Sequence, residues 1–469
     1  MGRRATVWRW LNERVPVEKL LHVGLDEEIP GGASFMYTLG SAVLFIILIQ
    51  VATGVWQLFY YVPTVDHAYD SLQYLVKEVP FGWLLHGLHY WGASAMVVLV
   101  ALHMLQVVVW GAYKRPREMV WFFGVLLLLL SMLMSFTGAP LPWDQRGFWA
   151  GEVGTEMIGT VPLVGGWLLA LVRGGSSMGQ LTLSRFFVMH VALIPAALVG
   201  MVVLHLIAFR TAGSAGPWSE ERGAARRGLF WPDQVTKDLI LAGIVLALLV
   251  GLSIFSPPPT SGPADPTDSS FVPKPEWNFL FLYQALKFFP GALEPLGTVG
   301  IPLVLVLFLF SLPFIDRRPD RDPRRRPLVL TLMMALIVVT VTLTVVGVES
   351  GPASARHAGA GPPVASASHL SSEARAGAKL FVSLGCHGCH AIHGTGGVVG
   401  PDLSNERGRG RTVAWLTQQI QDPTSHFPTG VMPSFASLDS AKVHALVAFL
   451  LSQSVDSSAA GAPPIRSND

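Results

Sequence analysis

The chain has 469 residues, 51% of them hydrophobic and only 14% charged, with a formal net charge of +2 and a mean hydropathy of +0.47. Soluble domains carry roughly 25% charged residues, so this composition excludes an ordinary globular enzyme, a disordered tail and a nucleic-acid-binding module. The two cysteines, Cys386 and Cys389, allow neither a disulfide framework nor a four-cysteine metal site.

From the N-terminus, Trp8, Trp10, Leu11, Val15, Leu20 and Leu21 lie among Arg and Glu. That pattern reads as an amphipathic helix in a membrane interface, with a loose soluble arm as the alternative. A bilayer core of about 30 Å needs roughly 20 apolar residues per helix. Runs of this kind follow at Phe35–Leu58, Trp83–Trp110, Val120–Gly138, Arg185–Phe209, Leu239–Phe255, Val299–Ile315 and Leu328–Val348, seven in all. No small-residue cleavage site follows the first, so no removable signal is expected. The segments before the first run and after the second, fourth and sixth carry 19 Lys and Arg; those after the first, third and fifth carry 5. The imbalance predicts a cytoplasmic N-terminus and, after seven crossings, an external C-terminus.

Histidine is costly inside a bilayer and needs a partner. The second span contains His89 and His103, fourteen apart, and the fourth contains His190 and His205, fifteen apart. At 3.6 residues per turn each separation returns to nearly the same face, about 21 Å along the helix. Two such helices facing each other would stack two His/His sites, the geometry of two b haems held by histidine pairs. A lone buried histidine is usually a hydrogen-bonded core residue, but two pairs at matching heights are hard to explain that way. Both spans run inward, which puts His89 with His190 near the outer side and His103 with His205 near the inner side. The first and third spans carry Gly40 and Gly54, and Gly124 and Gly138, each pair fourteen apart. Glycines at that period would let haem edges approach the backbone, although glycine is also common in membrane helix packing.

Past the last span, Glu349–Leu370 has the Ala/Gly/Pro/Ser composition of a flexible tether. Ser372–Leu384 and Ala441–Leu451 then read as amphipathic helices bracketing a small loop-rich domain. Cys386-His387-Gly388-Cys389-His390 is a C-x-x-C-H motif, the signature of covalent c-type haem attachment: two thiols on one helical turn reach the vinyl groups and His390 meets the iron. A zinc site would need more ligands, and a redox thiol pair would normally sit in a βαβ unit, which is absent. Met432, 42 residues past His390, is the one methionine after Cys386. As sixth ligand it would raise the iron potential, and it is preferred to His393, His426 and His444.

Residues 34–218 resemble cytochrome b6 through Gln50–Gly54, Phe59–Val65, the span carrying His89 and His103, Lys114–Glu118 and Leu141–Gln145. Residues 229–327 resemble its partner, subunit IV, through Pro275-Glu276-Trp277 and the stretch from Pro313-Phe314 to Arg326-Pro327. With the C-terminal domain, the chain looks like a cytochrome b fused to a cytochrome c, from a bacterial quinol:cytochrome c reductase of the bc or b6f type. The fold expected is all-α, a seven-helix haem-binding bundle followed by a small external cytochrome c domain. The divisions expected are 1–218, 219–348, a linker at 349–370, the cytochrome c domain at 371–455 and a tail at 456–469.

The resemblance implies quinol oxidation at the outer face. One electron would go through a Rieske iron–sulfur partner to the c haem, the other across the membrane through two b haems, with proton translocation. Glu276, beside apolar Phe271, Trp277 and Phe279, is the candidate proton acceptor, since burial raises a carboxyl pKa; an ordinary solvated glutamate is the alternative. Pro142, Trp143 and Asp144, with Pro275 and Trp277, would wall the quinol pocket. The chain holds no ligand set for a Rieske cluster, so that cluster comes from another subunit. A downstream cytochrome c or oxidase, membrane lipid and homodimerisation are further expectations.

Three positions depart from the pattern. His86 stands where an arginine would pair with a haem propionate, and Arg185 is a candidate replacement. Asn278 stands where tyrosine is usual, and Thr38 where a cysteine would tether an extra haem. Two other functional classes fit less well. A passive electron conduit would not need Glu276 or Pro142–Gln145. A transporter with a redox sensor would need broken helices and intramembrane carboxylates.

Overall fold

The computed structural model describes residues 3–15, 25–26, 28–30, 32–175, 177–215, 227–265, 274–289, 293–349, 370–384, 386–393, 395–396, 401–427, 432, 434–436 and 438–453. The protein is helical and divides into two compact units, 1–263 with 275–344, and 264–274 with 345–469.

In the first unit, α1 (Arg3–Arg14) precedes a short strand, β1 (Glu28–Pro30). Next come α2 (Phe35–Gln57), α3 (Ala68–Lys77), α4 (Gly82–Trp110), α5 (Glu118–Gly138), α6 (Gln145–Gly159), α7 (Gly165–Arg173) and α8 (Gln180–Ala212). Strand β2 (Arg227–Leu229) pairs antiparallel with β1 and leads into α9 (Phe230–Phe255). After it come α10 (Leu280–Leu286), α11 (Leu296–Ile315) and α12 (Pro327–Glu349). Helices α2, α4, α5, α8, α9, α11 and α12 are each long and apolar enough to cross a membrane. All seven expected runs are therefore helical, the fourth extended at both ends to Gln180–Ala212. Helix α2 packs on α4, and α8 on α5. The two histidine-bearing helices thus belong to separate pairs, with α9 packed behind α2 and α4.

Helix α8 contains a π turn at Met189–Leu193. Pro195 follows it and has no N–H to offer the Val191 carbonyl, so the regular ladder is broken there. A π turn absorbs one extra residue. The fifteen-residue step from His190 to His205 is therefore rotationally equivalent to the fourteen-residue step on α4.

At one end of this unit a buried polar cluster ties the loop before α5 to the loop after α11. Lys114 Nζ donates to Asp316 Oδ1 at 2.7 Å and to the carbonyls of Arg318 and Asp320. The Tyr113 hydroxyl donates to Asp316 Oδ2. Arg326 Nη1 reaches the same oxygen at 3.3 Å, and its Nη2 donates to the Val109 carbonyl at 2.6 Å. Burial works against ionisation of Asp316, but these donors and cations outweigh it and hold its carboxyl below the usual range.

In the second unit, α13 (Ser372–Ser383), the one-turn α14 (Cys386–Cys389), α15 (Val413–Gln421) and α16 (Ser440–Ser452) enclose a core that includes Phe381, Leu416, Val443 and Leu446. Gly377 lets α13 cross α16 closely; a Cβ there would meet the Ala445 carbonyl oxygen at 1.9 Å. The bracketing helices expected from periodicity are α13 and α16. Leu20, Leu21, Phe271 and all but the ends of the expected tether lie outside the described residues.

Removing one partner from a buried charge cluster strands the others. Asp316→Ala, which leaves Lys114 and Arg326 uncompensated, is expected to destabilise the first unit by about 3–5 kcal/mol. Loss of helical circular dichroism on heating in detergent reads it. Arg325→Ala, at an exposed pair with Asp320, should leave the midpoint unchanged.

Candidate haem and quinol sites

The four membrane histidines sit where α4 and α8 face each other. The rings of His89 and His190 have centroids 6.2 Å apart with planes at 79°. Two imidazole nitrogens about 2 Å from a shared metal place ring centres about 6 Å apart, so this spacing fits an iron held between them. The Nδ1 of His89 lies 3.0 Å from Thr53 Oγ1, and that of His190 lies 3.3 Å from Thr137 Oγ1. Both contacts orient the ring and leave Nε2 toward the gap. At the other level, the Nδ1 atoms of His103 and His205 are buried without a partner in hydrogen-bonding geometry.

Each of the four glycines lies against one of these rings. A Cβ at Gly54 would meet His89 Cε1 at 3.1 Å, and one at Gly138 would meet His190 Cε1 at 2.6 Å. At Gly40 the neighbour is His103 Cε1 at 3.3 Å, and at Gly124 it is His205 Cε1 at 3.5 Å. At Gly40, Gly54 and Gly138 the missing side chain makes room for the imidazole, whereas at Gly124 a Cβ would be in ordinary contact; the matching period follows from each glycine lying against a histidine ring. Among the described residues no cluster of three or more His, Cys, Asp or Glu could complete a shell around a bare ion. A pair of opposed imidazoles suits a metal whose other ligands come with it, as in haem.

A cavity of about 350 Å³ opens beside His89 and His190, and its wall includes Tyr61, His86, Tyr90, Arg146, Glu276 and Asn278. Pro142, Asp144 and Trp277 also face it, whereas Trp143 and Pro275 do not line it. Trp143, at φ 48°, packs its ring edge-on to Phe148. Asp144 caps α6: Oδ1 accepts from Gly147 N–H at 2.8 Å, and Oδ2 from the Ser261 hydroxyl at 2.7 Å. Glu276 is about three-quarters buried, and Arg146 Nη2 lies 3.6 Å from its Oε1. Burial pushes the Glu276 carboxyl up from its ordinary range, Arg146 pulls it back and Asp144 adds to the rise.

The departures are placed as follows. His86 Nδ1 is 3.1 Å from Gln57 Oε1. Arg185 Nη1 is engaged by the carbonyls of Ala170 and Leu171 at the end of α7, with 3.1 Å to Ala170. Asn278 is buried and donates to Ser135 Oγ at 3.0 Å. Arg146 escaped the sequence reading, although its signal was there: it is one of two basic residues between Ala139 and Ser184.

In the C-terminal unit, His390 Nδ1 lies 2.9 Å from the Pro401 carbonyl, which fixes the tautomer and leaves the other ring nitrogen to ligate. Burial holds this imidazole below its usual pKa, with Pro401 opposing, so the neutral ligating form is favoured. Cys386 and Met432 pack against one core, and Gln419 Nε2 reaches Met432 Sδ at 3.5 Å. Of the rival ligands, His426 stacks on Trp415 and His444 is exposed on α16. The Cys389 side chain and Gly430, Val431 and Pro433 lie outside the described residues.

Comparison with known proteins agrees with this layout. The family model "Cytochrome b/b6/petB" matches residues 25–213, "Cytochrome b(C-terminal)/b6/petD" matches 263–358, and "Cytochrome C oxidase, cbb3-type, subunit III" matches 372–450. Cytochrome b6 of Synechococcus sp. (strain RCC307) is 39% identical over 217 residues, 46% of this chain and all of that protein. Cytochrome b/c1 of Bradyrhizobium diazoefficiens is 34% identical over 328 residues, 68% of this chain, and the chain spans about half (47%) of that relative's length. A hyperthermophilic respiratory Complex III chain superposes with a TM-score of 0.66 at 29% identity, over 72% of this chain and 91% of that one. The chain belongs to the cytochrome b/b6 family and is a cytochrome b–cytochrome c fusion of the bc-complex type.

Proposed function

We propose that this chain is the cytochrome b–c subunit of a proton-translocating quinol:cytochrome c oxidoreductase in a bacterial inner membrane. Its N-terminus is cytoplasmic and its cytochrome c domain external. The observation that carries the reading is the opposed His89–His190 pair, 6.2 Å apart, opening onto the cavity that holds Glu276. His89 with His190 and His103 with His205 would hold two b haems; Cys386 and Cys389, with His390 and Met432, would hold a covalent c haem. When bound, these groups supply one-electron centres at two levels of the bundle and another outside it, the chemistry that separating a quinol's two electrons requires. The other electron acceptor is a Rieske iron–sulfur partner, and the complex works as a homodimer that passes electrons to a cytochrome c or oxidase.

The chain's own residues account for the proton chemistry. The cavity beside α4 is lined mainly by apolar groups, and Glu276 in its wall accepts the proton of a quinol hydroxyl placed there. Burial raises its carboxyl above the ordinary carboxylate range, against the pull of Arg146, which makes it a better proton acceptor than a free glutamate. Thr53 and Thr137 hold the neighbouring imidazoles in place. A passive conduit would have no use for a carboxylate in this wall.

A base must be ionised to act, so quinol oxidation should rise with pH through an apparent pKa above that of a free glutamate. Glu276→Gln is expected to abolish that limb and to slow steady-state oxidation by about 10²-fold or more. An unchanged pH profile would refute the role of Glu276. Gly138→Ala forces a methyl group against His190 at 2.6 Å; it should lose the b haem at His89 and His190 while keeping the other, as read by absorption spectra. Gly243→Ala, with open space around its Cβ, should keep both.

A further inference from the structure

Arg146 is in the first turn of α6, where the helix dipole disfavours a cation. Arg173, the other basic residue of the same loop region, is fully engaged: its Nε donates to Thr155 Oγ1 at 2.7 Å and its Nη1 to Glu156 Oε1 at 2.7 Å. Arg146 instead turns to the cavity wall, 39% exposed, with Nη2 3.6 Å from Glu276 Oε1. That contact is a single long ion pair, without the bidentate geometry of a structural clamp, and Arg146 also hydrogen-bonds the Tyr90 side chain beside it. The charged and titratable groups acting on Glu276 are Arg146 and Asp144 from the α6 start and Tyr90 from α4. Asp144 is committed to its cap, so Arg146 is the one cation available to the carboxylate among these groups.

We propose that Arg146 is a positioning residue for Glu276: the ion pair keeps the carboxylate ionised and held at the cavity wall until a quinol hydroxyl displaces the guanidinium and delivers its proton. The inference rests on the quinol-oxidation reading above. In the step, the quinol O–H bond breaks and a carboxyl O–H forms on Glu276, while Arg146 keeps its charge. The quinol's other O–H proton and one electron pass to the Rieske partner, and the second electron passes to the bound haem of the same reading. Quinone is left, with two protons and two electrons accounted for, and no further oxidant is needed. Protonation removes the attraction to Arg146, and the neutral carboxyl is then free to turn away and discharge its proton.

The test uses the purified complete complex carrying Arg146→Gln, Arg146→Lys, Glu276→Gln or the Glu276→Gln/Arg146→Gln pair. Quinol oxidation is followed against pH. In parallel, the infrared C=O band of protonated Glu276, identified by its loss in Glu276→Gln, is titrated. Loss of a neighbouring cation raises a carboxylate pKa by about one unit in a partly exposed setting. Arg146→Gln should therefore move both the acid limb and the infrared midpoint up by about one pH unit, lowering the rate roughly tenfold below both midpoints and little above them. Arg146→Lys should restore most of the shift, and Arg146→Gln should add nothing on the Glu276→Gln background. An equal loss at every pH, or an unmoved infrared midpoint, overturns the positioning role while Glu276→Gln remains impaired. A Glu276→Gln complex with the parent's rate and profile overturns the quinol-base reading and the positioning role together.

Discussion

The organisation of this protein depends on how four imidazoles are accommodated deep in an apolar bundle. An isolated polar ring at that depth is costly, and hydrogen bonding alone does not meet the cost here. His89 and His190 each have a threonine on one nitrogen, whereas His103 and His205 have buried Nδ1 atoms with no partner in hydrogen-bonding geometry. What all four share is a glycine against the ring and an opposed partner helix. That arrangement satisfies a metal with its own macrocycle better than it satisfies a polar core. It also explains why α2 pairs with α4 and α5 with α8, each glycine helix backing a histidine helix.

Other features serve that gap. The cluster of Lys114, Tyr113, Asp316 and Arg326 closes one end of the bundle and joins the α4–α5 connection to the α11–α12 connection. Near His89 and His190, the Asp144 cap ties the start of α6 to Ser261, across 117 residues of sequence, and so fixes one wall of the cavity. Glu276 is brought beside it by the segment before α10, with its Oε1 3.6 Å from Arg146 Nη2. The carboxylate and the imidazole pair thus line one cavity.

Much of this was legible in the residues. Seven apolar runs gave seven helices because apolar length is a property of the run itself. The histidine and glycine spacings reported a shared face because both follow the helical repeat. Three features were hidden. The π turn at Met189–Leu193 is visible in sequence only as a fifteen-residue step and a proline, and neither says which turn widens. Asp144 and Trp143 read as pocket residues; Asp144 does face the cavity, but its role as helix cap was not visible, and Trp143 packs on Phe148 instead, because turn geometry depends on the distant Ser261 segment. The Arg146–Glu276 pair joins residues 130 positions apart, a contact that no local pattern encodes.

The most direct test of the account is a reduced-minus-oxidised absorption spectrum of the purified chain with haem quantified by type. Two b haems for each covalently bound c haem is the result that the two opposed histidine pairs and the Cys386/Cys389 motif require. Fewer than two b haems, or no covalent haem, would mean that at least one of these ligand sets is structural and would contradict the account.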